Sequence, residues 1–457
     1  MSFPAYPAYK DSGVEWLGVV PDHWAVTLLK RGYEVVLGKM LQPEARRDGD
    51  EFLPYLRAAN IQLSGVDTVD VKRMWFGAEE KKSLLLRRGD LLVSEGGDVG
   101  RSAIWEFDEE ECYFQNSINR IRSIDGNNTR FLYFWMIAIK KNGYVDMLCN
   151  KSTIAHFTAE KVAAVPLPIP TKSEQAQIAR FLDHETTRID ALIEEQQRLI
   201  ELLKEKRQAV ISHAVTKGLD PTAPMKDSGV EWLGEVPTHW DVARVKNIAK
   251  LESGHTPSKE YPEYWEGGDI PWVSLNDSKQ LKVVDYINET QYMITALGMN
   301  NSSARLLPAR AVVFTRDATI GLAAITTRKM CVSQHLIAWI CIETLMLPEY
   351  LLLVFYAMEE ELGRFTFGAT LKTIGMPDVR KLTTTVPPLT EQAEIVAEVN
   401  SKRDLISRLI SEGENGIALL QERRSALISA AVTGKIDVRG WQPPVSVPSP
   451  ELTQEAV

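Results

Sequence analysis

The chain is poor in the residues that most often carry chemistry. It holds four cysteines and seven histidines in 457 residues. No cysteine stands in a Cys-x-x-Cys pair or at ligand spacing from a histidine, which leaves a disulfide framework and a structural zinc site without support. Cys112, Cys149, Cys331 and Cys341 are expected as reduced thiols of a cytoplasmic protein. Long apolar runs are missing too. The longest, Phe131 to Ile139 and Tyr350 to Met358, reach about half of the ~18 residues needed to span a bilayer, so they read as buried helices and no membrane segment is expected. The start, MSFPAYPAYK, has no apolar signal stretch. Nor is there an excess of positive charge: the net charge of -9 argues against indiscriminate binding to nucleic acid. Its distribution is more telling. Residues 25–172 carry 21 Lys+Arg against 20 Asp+Glu, and residues 241–389 carry 15 against 16. These two stretches are near neutral, and either can present a basic face to phosphates.

Catalytic signatures are also lacking. There is no Asn/Asp-Pro-Pro-Tyr/Phe for amino methylation, no Gly-x-x-x-x-Gly-Lys-Ser/Thr phosphate loop and no His-Glu-x-x-His. Gly96-Gly97-Asp98-Val99-Gly100 lacks the spacing of a dinucleotide loop and reads as a turn after a strand. Asp70 with Glu80-Lys81-Lys82 imitates a nuclease set, but a charge run of this kind is ordinarily a solvated face. No catalytic residue and no metal site are therefore assigned to this chain.

What the chain does have is a repeat. Lys10 to Trp24 reads KDSGVEWLGVVPDHW and Lys226 to Trp240 reads KDSGVEWLGEVPTHW. A second repeat follows each copy: EKRQAVISHAVT from Glu205 and ERRSALISAAVT from Glu422. The offsets, 216 and 217, differ by one residue over a whole domain. Between these edges the halves share little. A duplicated frame with divergent interiors predicts one scaffold carrying two different readers.

Each half closes at prolines (Pro166, Pro168, Pro170; Pro387, Pro388) before a long helical pattern. Thr171 or Ser173 can cap the first helix, Glu174 lies in its first turn and Gly218 follows its end; Thr390 and Glu391 take these places in the second. Ile178, Leu182, Ile189, Leu192, Leu199, Leu203 and Val210, with Ile395, Val399, Ile406, Leu409, Leu420 and Leu427, read as the seam of a coiled coil. A helix from Ser173 to Val215 would be roughly 64 Å long, and its natural partner is its own repeat. Gly413 and Gly416 predict a bend or frayed turn in the second copy. Leu91-Leu92-Val93 and Ala311 to Phe314 read as buried strands, each followed by a turn and an equivalent glycine, Gly100 or Gly321. Cys112 and Gln115 match Cys331 and Gln334 in a shared Cys-x-x-Gln.

The expected fold class is α+β: two mixed α/β domains joined by two long helices that form an antiparallel coiled coil, as a pseudo-twofold tandem repeat. The boundaries are 1–170 for the first domain, 171–218 for the central helix, 219–388 for the second domain, 389–436 for the distal helix and 437–457 for a disordered tail.

The paired Trp-Leu-Gly-x-x-Pro-x-His-Trp sentences, the Pro-rich lead into Glu-Gln-x-x-Ile (Glu174, Gln175, Ile178; Glu391, Gln392, Ile395) and the Arg-x-Ala-Val/Leu-Ile-Ser helix ends resemble the specificity subunit of type I restriction-modification systems. The resemblance covers the chain except its tail. It implies a non-catalytic, DNA-binding subunit whose two target recognition domains each read half of a split site in double-stranded DNA, with an unread spacer set by the helices. It further implies two adenine methyltransferase subunits and motor endonuclease subunits as partners. S-adenosylmethionine, ATP and Mg²⁺ would belong to those partners. The alternative is a coiled-coil scaffold that binds proteins without DNA recognition, which the Trp-rich sentences would also serve.

Residues shared by both halves cannot encode two specificities. Trp16, Trp24, Trp232 and Trp240, and with them Gln115 and Gln334, are therefore assigned to packing, phosphate positioning or assembly with the methyltransferase. His23 and His239 are expected to fix a turn by a hydrogen bond. Base readers belong among the differences, where Arg or Lys suits guanine and Asn or Gln suits adenine. The candidates are Arg57, Asn60, Gln62, Arg101, Asn116, Lys151 and Ser152 in the first half. In the second they are His255, Thr256, Ser258, Lys259, Asn276, Arg316, His335 and Lys372. Asn60 and Asn276 are candidates for equivalence, which would weaken both as readers.

Overall fold

A computed structural model describes residues 3–108, 110–149, 156–367 and 372–444. The chain divides into two compact units, one of residues 1–196 with 415–457 and the other of residues 197–414. Each unit thus combines one variable domain with part of both long helices.

In the first unit the buried run Leu91–Ser94 lies inside a four-stranded antiparallel sheet, ordered Ser102–Ile104, Leu91–Ser94, Ile118–Ser123, Tyr33–Leu37. Its alternation explains its composition. Leu91 and Val93 face a core built with the helix Thr129–Lys141 and with Ile178, Phe181, Leu182 and Ile428 of the long helices. Leu92 faces the opposite way, into a second core with Leu56, Phe76 and Trp105. A strand covered on both faces has no use for polar residues. Beside it, Tyr113–Phe114 runs parallel to Glu51–Leu56, which pairs antiparallel with Lys72–Phe76.

The second unit repeats the plan. Val312–Thr315 lies between Leu336–Cys341 and Ala323–Thr326, with Ala249–Ser253 and Tyr286–Ile287 at the edges. Val312 and Phe314 face the helix Pro348–Ala357, while Val313 faces a separate core. Ile270–Val273 pairs parallel with Cys331–Val332 and antiparallel with Tyr292–Ile294.

The prolines do not simply end the domains. Pro166–Ile169 is a strand paired antiparallel with Ala25–Leu28, and Thr383–Val386 pairs in the same way with Asp241–Arg244. Proline is tolerated because each pairing has only two strands, so every strand in it is an edge.

The central helix spans Lys172–Lys217 and the distal helix Leu389–Val432. Thr171 Oγ1 accepts from Glu174 N at 3.3 Å, and Gly218 ends the helix at φ +78° with its N–H on Ala214 O. The distal helix starts at Leu389, so Thr390, expected as its cap, lies inside its first turn. Residues 412–416 stay α-helical, so the frayed turn expected at Gly413 and Gly416 is absent. Within the first unit the two helices run antiparallel. Arg424 clamps Asp190 through Nε and NH2 at 2.8 and 3.0 Å, while Gln177, earlier on the central helix, reaches Val438 O and Trp441 O.

The heptad reading needs correction. Leu192, Leu199 and Leu409 are 38%, 47% and 43% exposed, whereas Ile200, Ile410 and Ile428 are buried. The buried isoleucines recur every eleven residues: Ile178, Ile189, Ile200, Ile211 on one helix and Ile395, Ile406, Ile428 on the other, with half-buried Ile417 completing the series. A straight helix drifts from a strict seven-residue repeat, and eleven residues in three turns follow its twist more closely.

The tail begins later than expected. Val438 is fully buried, Asp437 N donates to Pro4 O, and Trp441 stands edge-on to Phe181 at 5.2 Å. Apolar Val438 and Trp441 cover the first turns of the central helix; residues 445–457 lie outside the described residues.

Candidate nucleic-acid interface

The two units can be laid over one another by their hydrogen bonds. Lys39 N donates to Phe114 O and His255 N to Val332 O, both at 3.1 Å; Gln115 N donates to Leu56 O and Ser333 N to Val273 O. Phe114 therefore corresponds to Val332, and Gln115 to Ser333. The Cys-x-x-Gln match is out of register by one residue. Asn116 corresponds to Gln334, and Ser117 to His335, since Glu95 N bonds Ser117 O as Arg316 N bonds His335 O. Gln334 thus joins the positions that differ between the halves. Gly100 and Gly321 do correspond: each donates its N–H to the last residue of the preceding strand, Ser94 or Thr315, and each has positive φ, +76° and +90°.

A similar shift separates Asn60 from Asn276. In the first unit Arg57 N donates to Asn60 Oδ1 at 2.9 Å across a short turn; in the second, Ser274 N donates to Asp277 Oδ2 at 2.8 Å. Asn60 matches Asp277, and Asn276 is the exposed residue before it. Asn60 is 2% exposed and its amide also donates to Asp67 O and Asp70 O. Its hydrogen-bonding capacity is consumed by the turn, so it is withdrawn as a base reader.

Around that turn several candidates meet. Arg57 NH2 donates to Asp70 Oδ2 at 2.8 Å, and Arg101 NH2 to Ala58 O at 3.3 Å with its NH1 3.6 Å from Asp98. Ser117, which the sequence reading missed, accepts from Ala58 N at 3.1 Å. Gln62 sits on the neighbouring hairpin, its Nε2 on Ala59 O at 2.6 Å. Asn116 is half-buried, and its amide makes no hydrogen bond among the described residues. Burial raises the Glu95 carboxyl above its ordinary range, an effect opposed by His156. Lys151 and Ser152 lie outside the described residues.

The second unit places different chemistry on the same frame. Thr256 Oγ1 donates to Gln334 Oε1; Gln334 Nε2 donates to His335 Nε2 at 3.3 Å; His335 Nδ1 donates to Asp317 Oδ2 at 2.7 Å. Thr373 Oγ1 donates to the other Asp317 oxygen, and Arg316 Nε lies 3.6 Å from it. Asp317 is 6% exposed and lies in the turn expected after the strand that ends at Phe314, where no signal in the sequence singles it out. Lys372 comes near through its carbonyl, which accepts from Ala318 N. Ala318 itself sits at φ +62°, where the corresponding Gly97 has φ +71°. His255, Ser258, Lys259 and Asn276 are exposed on the adjoining segments. The structure so gathers Arg57, Gln62 and Arg101 around one turn and Thr256, His335 and Arg316 in one network.

The repeated tryptophans fall into two kinds. Trp24 and Trp240 are fully buried, and each donates its indole N–H to the glutamate in the first turn of a long helix: Trp24 to Glu174 at 3.1 Å, Trp240 to Glu391 at 2.9 Å. His23 and His239 reach the same glutamates at 2.9 Å, which gives the histidines the turn-fixing bond expected of them. With no surface left, Trp24 and Trp240 cannot be docking contacts; they are packing residues. Trp16 stacks on Tyr144 at 4.2 Å, and Trp232 donates to Thr383 O at 3.2 Å; both are half-buried.

Among the described residues, no three His, Cys, Asp or Glu side chains are grouped to hold a metal ion, and no helix is long and apolar enough to cross a membrane. The four thiols are free. Burial pushes Cys112 and Cys341 up to about 12 and Cys331 to about 11, far from the reactive thiolate range.

Comparison with known proteins bears on this geometry. The family model described as "Type I restriction modification DNA specificity domain" matches twice, at residues 26–203 and 237–406. The MjaIX specificity subunit of Methanocaldococcus jannaschii is 29% identical over 184 residues, 40% of this chain and 42% of that protein, so the match spans less than half of that relative's length. The MjaVIII specificity subunit of the same organism is 20% identical over 92% of this chain and 94% of its own. Two solved structures share the fold. A chain from work on complex assembly and conformational transition of the type I R-M system has a TM-score of 0.70 at 15% identity, covering 91% of this chain and 99% of that one. The HsdS subunit of Thermoanaerobacter tengcongensis has a TM-score of 0.56 at 16% identity, covering 91% and 98%.

Proposed function

Because the chain belongs to the family of type I restriction-modification DNA specificity domains, a family of non-catalytic specificity subunits, we propose that each of its units reads one half of a bipartite target in double-stranded DNA. One observation carries this reading. On a common backbone frame, corresponding positions at the strand ends differ in hydrogen-bonding chemistry: Arg57 against Ser274, Glu95 against Arg316, Asn116 against Gln334, Ser117 against His335. Direct readout of base edges requires differences of this kind. The bases between the half-sites go unread. The chain brings sequence choice to two adenine methyltransferase subunits and to motor endonuclease subunits. S-adenosylmethionine, ATP and Mg²⁺ act in those partners.

The test is an exchange. Residues 241–386 are replaced by the corresponding segment of a related subunit, and the methylated motifs of cells carrying the chimera and its partners are sequenced. One half of the motif changes and the other persists. A motif changed in both halves, or in neither, overturns the assignment of one reader to each unit.

A further inference from the structure

The second unit contains a cavity of about 420 Å³. It is walled by Trp265, Trp272 and Tyr292 and rimmed by Lys259, Glu266 and Asn276. Trp265 meets Trp272 edge-on at 5.1 Å and 87°, and Tyr292 at 6.4 Å and 82°. Both indole N–H groups donate to backbone carbonyls, Trp265 to Ser258 O at 3.1 Å and Trp272 to His255 O at 3.0 Å. These bonds lock the rings and tie them to the segment that carries His255, Ser258 and Lys259. The polar groups at the rim are uncommitted: among the described residues, the side chains of Lys259, Glu266 and Asn276 and the Tyr292 hydroxyl make no hydrogen bond or ion pair. Tyr292 is 43% exposed, so the mouth is open to solvent.

We propose that this pocket holds a single nucleobase, unstacked from the duplex at the second half-site. The inference rests on the DNA-reading function proposed above and goes beyond it. The chemistry narrows the occupant. A phosphate would meet the Glu266 carboxylate, and a quaternary or methylated ammonium would meet the Lys259 cation. A neutral, planar molecule with donors and acceptors in its plane is opposed by neither. Aromatic faces stack on any base, and a carboxamide such as that of Asn276 can both donate to and accept from a base edge. The volume lies in the range of small-ligand sites. The feature is peculiar to this unit. The segment between Leu37 and Glu51, which corresponds to the one bearing Tyr261, Tyr264 and Trp265, contains no aromatic residue. Trp272 corresponds to Tyr55, but Tyr292, which pairs with Trp272, is replaced there by Lys72, which pairs with Tyr55. One half-site only is therefore read in this manner.

The experiment uses the full chain assembled with its methyltransferase subunits, on duplexes bearing the motif that it methylates. An abasic nucleotide is placed opposite each position of the second half-site in turn, and affinity is measured. Removing the partner of an unstacked base lowers the cost of extracting it, so binding tightens by about tenfold at that position. Trp265→Ala and Tyr292→Ala abolish this gain, and Trp265→Phe retains it. A gain at the methylated adenine, whose unstacking belongs to the methyltransferase, persists in every variant. Tyr292 lies at the rim, so its variant keeps the test available if Trp265→Ala fails to fold. The proposal falls if no position shows a gain that depends on these residues while the second half-site is still recognised. It also falls if the variants weaken only the binding of partner subunits. If exchange of residues 241–386 leaves the motif unchanged, it is the underlying DNA-reading assignment that fails.

Discussion

Trp24 and Glu174 meet in one buried hydrogen bond of 3.1 Å across 150 residues of chain. Trp240 and Glu391 repeat it at 2.9 Å. This contact explains why the Trp-rich sentence was duplicated almost unchanged: it fixes the start of each variable domain to the first turn of the helix that leaves it. A carboxylate there also suits the positive end of the helix dipole.

The two anchors differ in burial, and their removal should differ in cost. Glu174 is 4% exposed and also accepts from Tyr6 Oη at 2.7 Å, whereas Glu391 is 24% exposed. Glu174→Ala leaves buried donors unpaired and should lower stability by about 1–3 kcal/mol. Glu391→Ala should cost less. Urea denaturation of the two variants checks the order, and the methylated motif should not change in either.

Ala318 carries a left-handed backbone that its counterpart Gly97 adopts without strain. For an L-residue this conformation costs roughly 1–2 kcal/mol, partly offset by the lower entropy of unfolded alanine. Ala318→Gly should therefore stabilise the protein by up to about 1 kcal/mol, and Gly97→Ala should destabilise it by a similar amount. Thermal unfolding measures both signs.

Two asparagines of the first unit should separate folding from reading. Asn60→Ala removes the acceptor for Arg57 N and the donor to Asp67 O and Asp70 O. It should lower stability by about 1–3 kcal/mol and leave the motif intact. Asn116→Ala breaks no side-chain hydrogen bond among the described residues and should change stability by less than about 0.5 kcal/mol. If Asn116 reads a base, affinity for the first half-site falls by roughly 5- to 150-fold, which binding to duplexes varied at each position would show.

The isoleucine period sets what the long helices tolerate. Inserting one eleven-residue repeat into each helix, near Ile200 and Ile417, keeps the buried stripe in phase and adds about 16 Å. The added length corresponds to about five base pairs, roughly half a turn of B-DNA, which carries the second half-site to the far side of the duplex, so methylation of the two-part target should be lost while the protein stays folded. An insertion of five residues turns the stripe through roughly 140° and should prevent folding. Methylome sequencing reports the loss, and a soluble eleven-residue variant that still methylates the original target would show that the helices do not set the spacing.

Much of this architecture was legible in the sequence because it rests on repetition and burial. The duplicated sentence, the paired strands at Leu91 and Val312 and the two long helices all followed from pattern alone. What failed was register. Cys112-Tyr113-Phe114-Gln115 and Cys331-Val332-Ser333-Gln334 share letters but not backbone hydrogen bonds, and Asn60 and Asn276 miss one another by one residue. Period-two alternation makes such a slip consequential, because it turns a side chain to the other face. The heptad reading went astray similarly, since leucines on a solvated flank resemble a seam until exposure is known. The pocket of Trp265, Trp272 and Tyr292 was invisible for another reason: two paired strands and the turn before them must fold before its walls meet.

Each variable domain departs from the frame and returns to it along a single two-stranded ribbon, with Ala25 opposite Ile169 and Asp241 opposite Val386. Everything between is, in topological terms, an insert whose ends are already neighbours. The frame bears none of the loop-closure entropy of what it carries, and an insert of different length or composition can be spliced between the same two strands without moving them. Recombination that breaks the gene at those ribbons would exchange whole cassettes, so a new specificity can be acquired in one step while the anchors of Trp24 and Trp240 stay in place.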